Sequence, residues 1–516
     1  MPALAALAPI AVILVLMVWR RWPAAAAGPV GLALAAAIAV ALFGFGGEGD
    51  GGGGPSLPRA ALGTGAEAAF VALTILWIIF PALCLYEIQA RHGAFDVLRA
   101  ALVRLSPDPR IAALLIGWFF ALFVEGAAGF GTPVALAAPM LVTLGFAPVQ
   151  AVTLVLIGHA AGVSFGAVGT PVLPQIAATG LSGFEIARAT GLLHGLLGWI
   201  LLVFAFRVAA AGTDPARHGG RGWLWAGLAA LCFLVPFLGL SAVAGPELPT
   251  LAGALVGLVL FVGALHLADR DRGAAPRPAE DVPAAPGLAR LGRALLPYGV
   301  LLALILATRL IPDLREALRG VEVDWSLFGA FEGAVQPLYH PGTMLFLGFV
   351  AGGLIQGRST ADLADAAVAA LKRLPMVALA LVAMLGLARL MVHAGMIDAL
   401  AEAAAGLFGP AWPLVAPWVG TLGTFVTGSA TASNILFTDF QQATAQALGL
   451  PVLLLVAAQG FGAAVGNIVC PHNIIAGGAT VGLAGREGDV LRRTGPACAA
   501  YAIAGGLLVM ALAVWA

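Results

Sequence analysis

Charged residues are scarce in this chain of 516 residues: Asp, Glu, Lys and Arg together make up 10%, whereas 61% of the residues are hydrophobic. Soluble domains carry about 25% charged residues, so a chain this apolar could not cover a water-exposed surface with polar groups. A lipid bilayer removes that need, because helices of about 20 apolar residues satisfy their own backbone hydrogen bonds as they cross it. The composition therefore predicts a helical membrane protein.

An excess of basic residues is also absent, since Lys and Arg total 26, as do Asp and Glu. Proteins that bind nucleic acid need basic residues to neutralise phosphates, so no nucleic-acid partner is expected. Cysteine is rare: Cys84, Cys232, Cys470 and Cys498 lie far apart, in or beside apolar runs, without CxxC spacing. Such cysteines pack as small apolar side chains, and neither a disulfide nor a metal site is expected.

Motifs of intramembrane enzymes are lacking as well. The sequence has no HExxH metal motif and no aspartate-rich motif for lipid diphosphates, and Ser429 has no obvious base nearby in sequence. An enzyme is therefore not expected, and nothing in the sequence requires a cofactor.

Apolar runs divide the chain into spans. Residues 3–19 precede Arg20 and Arg21, the reverse of the charge order of a signal peptide, so they are predicted as the first span. Two longer regions, 111–172 and 403–480, are interrupted by Gly, Pro, Thr, Ser, Asn and Glu. The sequence predicts an all-α polytopic protein with about 12–14 transmembrane helices. The clear spans are 3–19, 25–45, 67–88, 189–206, 222–243, 250–267, 295–311, 342–357, 375–393 and 496–516.

The basic residues predict the orientation, because loops rich in Arg and Lys stay in the cytoplasm. One alternating assignment satisfies every loop: the acidic loop 309–341 lies outside, and the Pro- and Ala-rich linker 268–294 lies inside. On this assignment the region 111–172 starts at the inner face, whereas the region 403–480 starts at the outer face. The two regions are thus predicted to run through the bilayer in opposite directions.

The same two regions resemble each other. The sequence FVEGAA at 123–128 matches FVTGSA at 425–430, and the Gly and Pro spacing of GVSFGAVGTP at 162–171 recurs in 462–471. Inverted repeats of this kind are a transporter architecture with the substrate bound near the midplane of the membrane. We therefore predict two inverted repeats.

Each region contains two polar segments, at 125–133 and 166–171 in the first and at 427–434 and 466–473 in the second. Gly and Pro interrupt a helix there, and the freed backbone groups must be buried or line a wet cavity. Helix N-termini at such breaks suit a carboxylate. We predict a re-entrant hairpin followed by a discontinuous helix in each copy.

The predicted domains follow from these repeats. They are N-terminal scaffold helices at 1–110, a first repeat in the transport region at 111–206, scaffold helices with the cytoplasmic linker at 207–374, and a second repeat in the transport region at 375–516.

Long motifs carry a family resemblance. EGAAGFGTPVALAAPMLVTLGF (125–146), TGSATASNILF (427–437), GNIVCPHNIIAG (466–477) and GREGDVLRRT (485–494) closely resemble the L-lactate permease family of bacterial transporters. The resemblance implies proton-coupled symport of L-lactate, and also of D-lactate and glycolate, by a multi-pass protein of the inner (plasma) membrane. It also implies kinship with elevator-type carriers of the ion-transporter superfamily. The alternative is a carrier for another small organic anion, such as a dicarboxylate, with sodium coupling; a homodimer is left open.

Glu125 is the foremost candidate for proton coupling, because a carboxyl group within a span is costly to ionise and can therefore carry a proton. The alternative is a structural carboxyl that caps backbone amides at the hairpin tip. His159 and Asp439 are further candidates for carrying or relaying the proton, His159 because histidine titrates near physiological pH.

Neutral polar side chains are predicted to bind the carboxylate and hydroxyl of the substrate, although small polar residues also pack helices together. Arg389 could pair with a carboxylate or reach the membrane interface instead. The predicted substrate-binding residues are Thr132, Thr170, Arg389, Ser429, Thr431, Ser433, Asn434, Asn467, His472 and Asn473.

Overall fold

The computed structural model describes residues 2–20, 22–47, 55–106, 108–129, 131–211, 221–270, 287–483 and 485–515. Most of the predicted linker 268–294 lies outside these residues. Helices dominate the described part, which confirms the predicted helical membrane fold.

Among the described residues up to 270, every element is helical. The α-helices of this part are Pro2–Val18, Ala24–Leu42, Leu57–Arg91, Ala94–Val103, Pro109–Leu114, Ala121–Ala127, Thr132–Thr143, Pro148–Gly158, Gly166–Gly169, Leu173–Thr179, Gly183–Leu197, Trp199–Ala210, Gly222–Val243 and Pro249–Arg270, with a π-helical turn at Leu115–Phe120 and 3-10 turns at Ala160–Phe165 and Thr170–Val172.

The second half repeats this order and adds one small sheet. Its elements are the α-helices Leu288–Leu310, Pro312–Arg319, Pro341–Ile355, Thr360–His393, Met396–Phe408, Trp412–Thr427, Ala430–Leu448, Val452–Asn467, Pro471–Thr480 and Glu487–Trp515, a 3-10 turn at Gly409–Ala411, and the strands Val323–Leu327 and Phe331–Val335.

Ten described helices are long and apolar enough to cross a membrane, or up to twelve if each bent pair is one span. The prediction of 12–14 is met only at its lower end, because several apolar helices, such as Thr132–Thr143, are too short to cross. Two helices are instead much longer than predicted, Leu57–Arg91 with 35 residues and Thr360–His393 with 34. At 1.5 Å per residue each extends about 50 Å, well beyond the hydrocarbon.

A helical hairpin and an interrupted helix occur in each half, as predicted. The first hairpin comprises Pro109–Ala127 and Thr132–Thr143, and the second comprises Trp412–Thr427 and Ala430–Leu448. Both tips turn at a glycine in the left-handed region, Gly131 and Gly428, each with φ of 78°. Such backbone favours glycine because a Cβ atom would be strained there.

The interrupted helices follow directly after the hairpins. The first broken span runs from Pro148 to Thr179 and bends by 45°. The second broken span runs from Val452 to Thr480 and is interrupted between Asn467 and Pro471. Each broken span packs against the hairpin of its own half.

The packing of the remaining helices also recurs between the halves. Ala24–Leu42 packs along Thr360–His393, and Pro341–Ile355 packs in the same way along Leu57–Arg91. The two long helices also pack against each other at the centre of this group. The repeat therefore extends to the scaffold helices, outside the two regions where the sequence revealed it.

Two helices stand apart from this recurrence. Gly222–Val243 and Pro249–Arg270 pack against each other, and the latter lies against the first hairpin. Thr250 donates a hydrogen bond of 2.7 Å to the carbonyl oxygen of Gly162 in the first broken span. We propose that these helices belong with the transport region, although the sequence places residues 207–374 in the scaffold.

A small β-hairpin lies in the acidic loop 309–341, where the sequence predicts no strand. Its strands pair antiparallel, with Val323 opposite Val335. Phe331 is buried and its ring lies 5.0 Å from that of His393. In the preceding helix Leu288–Leu310, Arg309 pairs with Glu247 at 2.7 Å. The sheet is thus anchored on the long scaffold helices.

Acidification is expected to weaken the start of the helix Pro341–Ile355, which follows the sheet, through its N-cap His340. Its Nδ1 accepts a 3.2 Å hydrogen bond from the backbone N–H of Gly342, which only the unprotonated ring can do. Burial, and then the nearby Arg309, lower the pKa of His340 from 6.5 to about 4. The native state therefore binds this proton less readily than the unfolded state, and stability falls as the pH drops below 6.5. Thermal unfolding of wild type and His340→Asn between pH 7 and 4 measures this; a neutral cap should reduce the dependence, and an unchanged dependence would contradict it.

Candidate functional site

The two hairpin tips and the two breaks meet around one cavity of about 40 Å³. That volume holds about three water-sized groups. Both halves of the chain contribute, as the repeat predicts. The lining residues are Glu125, Gly129, Gly131, Val163, Gly166, Ala167, Thr170, Pro171, Gly428, Ser429, Ala430, Thr431 and Asn467.

Three helical segments begin at this cavity. The helix Thr132–Thr143 starts after Gly131, the helix Ala430–Leu448 starts after Ser429, and the turn Thr170–Val172 leads into another helix. The first N–H groups of a helix have no partner within it, and they carry partial positive charge. Their convergence makes the cavity favourable for an anion.

The backbone of the first break is strained. Ala167 and Val168 have φ angles of 43° and 55°, in the left-handed region that residues with a Cβ rarely adopt. The hydroxyl of Thr170 donates to the carbonyl oxygen of Ala167 at 2.6 Å and closes this turn. Strain of this kind costs about 1–3 kcal/mol per residue and concentrates at functional sites.

Among the residues that the structure describes, Glu125 is the one acidic side chain that lines the cavity. It lies in the last turn of the first arm of the first hairpin and is only 4% exposed. Its Oε2 lies 3.9 Å from Nε2 of His159. His159 is fully buried and does not line the cavity itself.

The hydrogen bonds of His159 allow two protonation patterns. Its Nδ1 donates to the carbonyl oxygen of Val155 at 2.6 Å, so Nε2 accepts in the neutral ring and donates in the charged ring. Asn467 lies 3.1 Å from Nε2, and its amide can present either the oxygen or the nitrogen there. Both the neutral and the charged ring can thus be hydrogen-bonded at this position.

Three more of the predicted polar residues line the cavity with Asn467: Thr170, Ser429 and Thr431. Ser429 also caps the helix that follows, because its Oγ accepts from the N–H of Ala432 at 3.3 Å. The hydroxyl and amide groups of these residues come from both halves of the chain.

Ser433 and Asn434 do not line the cavity. Ser433 donates to the carbonyl oxygen of Gly420 at 2.8 Å, and Asn434 donates to that of Pro171 at 2.8 Å. The amide of Gln459, a residue that the sequence analysis does not single out, contacts Ser433 Oγ at 3.2 Å. In the repeat alignment, which matches Gly162 with Gly462, Gln459 is the direct equivalent of His159, and that was the available signal.

Thr132, His472 and Asn473 surround the cavity without lining it. Thr132 donates to the carbonyl oxygen of Gly129 at 2.7 Å. Asn473 is 2% exposed, and its Nδ2 has no hydrogen-bond partner among the described residues. His472 is exposed and lies beside Gly428.

Arg389 and Asp439 lie in a separate cluster. Arg389 donates to the carbonyl oxygen of Ala177 at 2.6 Å, and Asp439 is close enough to interact electrostatically with Arg389 and His393. His393 in turn lies 2.8 Å from Glu67. This cluster joins the long scaffold helices to the broken span and hairpin, and the structure does not bring it into the cavity.

Comparison with known proteins identifies the family. A sequence model of the L-lactate permease family matches residues 2–333 and 330–515. The L-lactate permease of Streptococcus iniae is 31% identical, with 75% of this chain and 81% of that protein covered, and the glycolate permease GlcA of Escherichia coli is 30% identical, with 81% of each covered. The crystal structure of the YdaH transporter of Alcanivorax borkumensis shares the fold, with a TM-score of 0.54 at 15% identity and 94% and 98% of the two chains covered. The protein belongs to the L-lactate permease family and is a multi-pass transporter of the bacterial plasma membrane, not an enzyme.

Proposed function

We propose that the protein is a secondary active transporter that moves L-lactate, and also D-lactate and glycolate, together with protons. The observation that carries the proposal is a single cavity that combines one buried carboxyl group, Glu125, with three helix starts. The similarity to named L-lactate permeases and to a glycolate permease supports the substrate class.

The substrate carboxylate binds at the helix starts behind Gly131 and Ser429. Backbone N–H groups and helix dipoles stabilise an anion there. They do so without a fixed positive charge that would have to stay buried when the site is empty. The hydroxyl groups of Ser429, Thr431 and Thr170 and the amide of Asn467 bind the 2-hydroxyl group.

The other predicted binding residues act at a greater distance. Thr132, Ser433, Asn434 and Asn473 hold the tips and breaks in place. The predicted roles of Arg389 and His472 in binding and of Asp439 in coupling stay predictions.

Glu125 carries the coupled proton and exchanges it with His159. An anion that enters alone must move against a membrane potential that is negative inside, which costs about 2.3 kcal/mol per charge for each 100 mV. With one proton on Glu125 and one lactate anion bound, the loaded site carries the same charge as the empty site with a deprotonated Glu125. A full cycle therefore moves no net charge, which removes this cost.

Purified protein in liposomes tests the proposed function. An inward proton gradient is expected to drive accumulation of labelled L-lactate, and excess glycolate or D-lactate should compete. A proton ionophore should abolish accumulation, and protein-free liposomes provide the background. Uptake driven only by sodium would contradict proton coupling, and uptake of dicarboxylates without uptake of 2-hydroxy acids would contradict the substrate class.

A further inference from the structure

One wall of the cavity is apolar and is built separately from the main core. Val163 and Ala430 both line the cavity and are 2% and 5% exposed. Behind them lie Ala463 and Ala464, which are fully buried and form a small cluster with them that is distinct from the principal hydrophobic core. The side chains of this wall therefore pack mainly against one another, so a substitution of one of them can change the shape of the wall.

Val163 is the largest adjustable side chain of this wall. Ala167 and Ala430 offer only a Cβ atom, and the backbone of Pro171 is fixed by the hydrogen bond from Asn434. A β-branched side chain also has few rotamers, so the two methyl groups of Val163 occupy fixed positions.

A small 2-hydroxy acid presents three groups at its second carbon besides hydrogen: a carboxylate, a hydroxyl and one variable substituent. The polar groups of the cavity take the first two under the proposed function. The substituent is then left to face the apolar wall. It is hydrogen in glycolate, methyl in lactate and ethyl in 2-hydroxybutyrate.

We infer that Val163 sets the upper size of the substituent that the transporter accepts at the second carbon. The inference rests on the proposed function and adds a determinant of selectivity within it. Apolar pockets distinguish substrates that differ by one methylene group by about 10–200-fold. A wall of alanines with a single valine is suited to admit a methyl group and to reject an ethyl group.

Uptake of labelled L-lactate in competition with glycolate and 2-hydroxybutyrate tests this inference. Val163→Ala removes two methyl groups and should increase the ability of 2-hydroxybutyrate to compete, relative to lactate, by about tenfold. Val163→Ile should weaken the binding of lactate relative to that of glycolate by a similar factor. Val152→Ala makes the same change in the same broken span, at a fully buried residue that does not line the cavity, and should leave the ranking unchanged.

Val163→Thr covers the case in which the other variants do not fold, since it keeps the shape and places a hydroxyl group on the wall. This variant should weaken the binding of lactate relative to that of glycolate. Thermal unfolding in detergent verifies that each variant is folded. Unchanged rankings in folded variants that still transport lactate would overturn the inference and leave the proposed function intact. If the wild type transports none of the three acids, the proposed function itself fails.

Discussion

Glu125→Gln is expected to abolish the net uptake of lactate driven by a proton gradient while leaving lactate exchange intact. Glutamine keeps the size and much of the hydrogen bonding of a protonated glutamate, so the cavity should still bind the anion. Glutamine can neither take up nor release a proton. The variant therefore loses the step in which the empty transporter returns with a deprotonated carboxylate, and net uptake needs that step whereas exchange does not. Net uptake and exchange of labelled lactate, measured separately in liposomes, distinguish the two steps.

The matched control for this variant is Glu402→Gln, because Glu402 is exposed on the helix Met396–Phe408. It makes the same chemical change away from the cavity and should leave both activities at wild-type levels. If Glu125→Gln still accumulates lactate in response to a proton gradient, another group carries the coupled proton. If exchange is lost as well, Glu125 is needed for substrate binding or for the folded structure.

Gly462→Ala is expected to destabilise the protein strongly. A Cβ atom at Gly462 would overlap the carbonyl oxygen of Pro417, in the first arm of the second hairpin. That oxygen belongs to the backbone and cannot turn aside, and the hydroxyl of Thr421 also reaches the carbonyl of Gly462 at 3.1 Å. Overpacking of this kind costs about 1–3 kcal/mol or more, which thermal unfolding of the purified protein in detergent measures.

Gly299→Ala is the corresponding control in the helix Leu288–Leu310. Apart from the backbone of its own helix, no described atom lies within 4 Å of the position its Cβ would take, and alanine favours a helix over glycine by about 1 kcal/mol. Its stability should equal or exceed that of the wild type. If both variants unfold at the wild-type temperature, close approach at Gly462 does not stabilise the hairpin.

Much of the architecture could be predicted because it depends on patterns that persist along the chain. Apolar runs, basic loops and repeated Gly and Pro positions predicted the helices and both hairpins. Glu125 was prominent because a lone acid in an apolar run is rare. The β-hairpin escaped prediction because strands of five residues in a polar loop leave little periodic signal.

The side-chain directions at the site could not be predicted from the motif alone. Ser429, Thr431, Ser433 and Asn434 are close in sequence, but successive residues of a helix point about 100° apart. Two of them therefore line the cavity and two are bound within the protein. The left-handed backbone at Ala167 was also hidden, because alanine gives no sign of it.

The two repeats pack differently against the two long scaffold helices, Leu57–Arg91 and Thr360–His393. Thr360–His393 packs against the second arm of the second hairpin, Ala430–Leu448, and Arg389 holds the carbonyl oxygen of Ala177. Leu57–Arg91 makes no comparable packing against Thr132–Thr143 among the described residues. Any movement of the first broken span along the helix Thr360–His393 would have to break the hydrogen bond from Arg389 to Ala177. That bond therefore acts as a latch between the two elements.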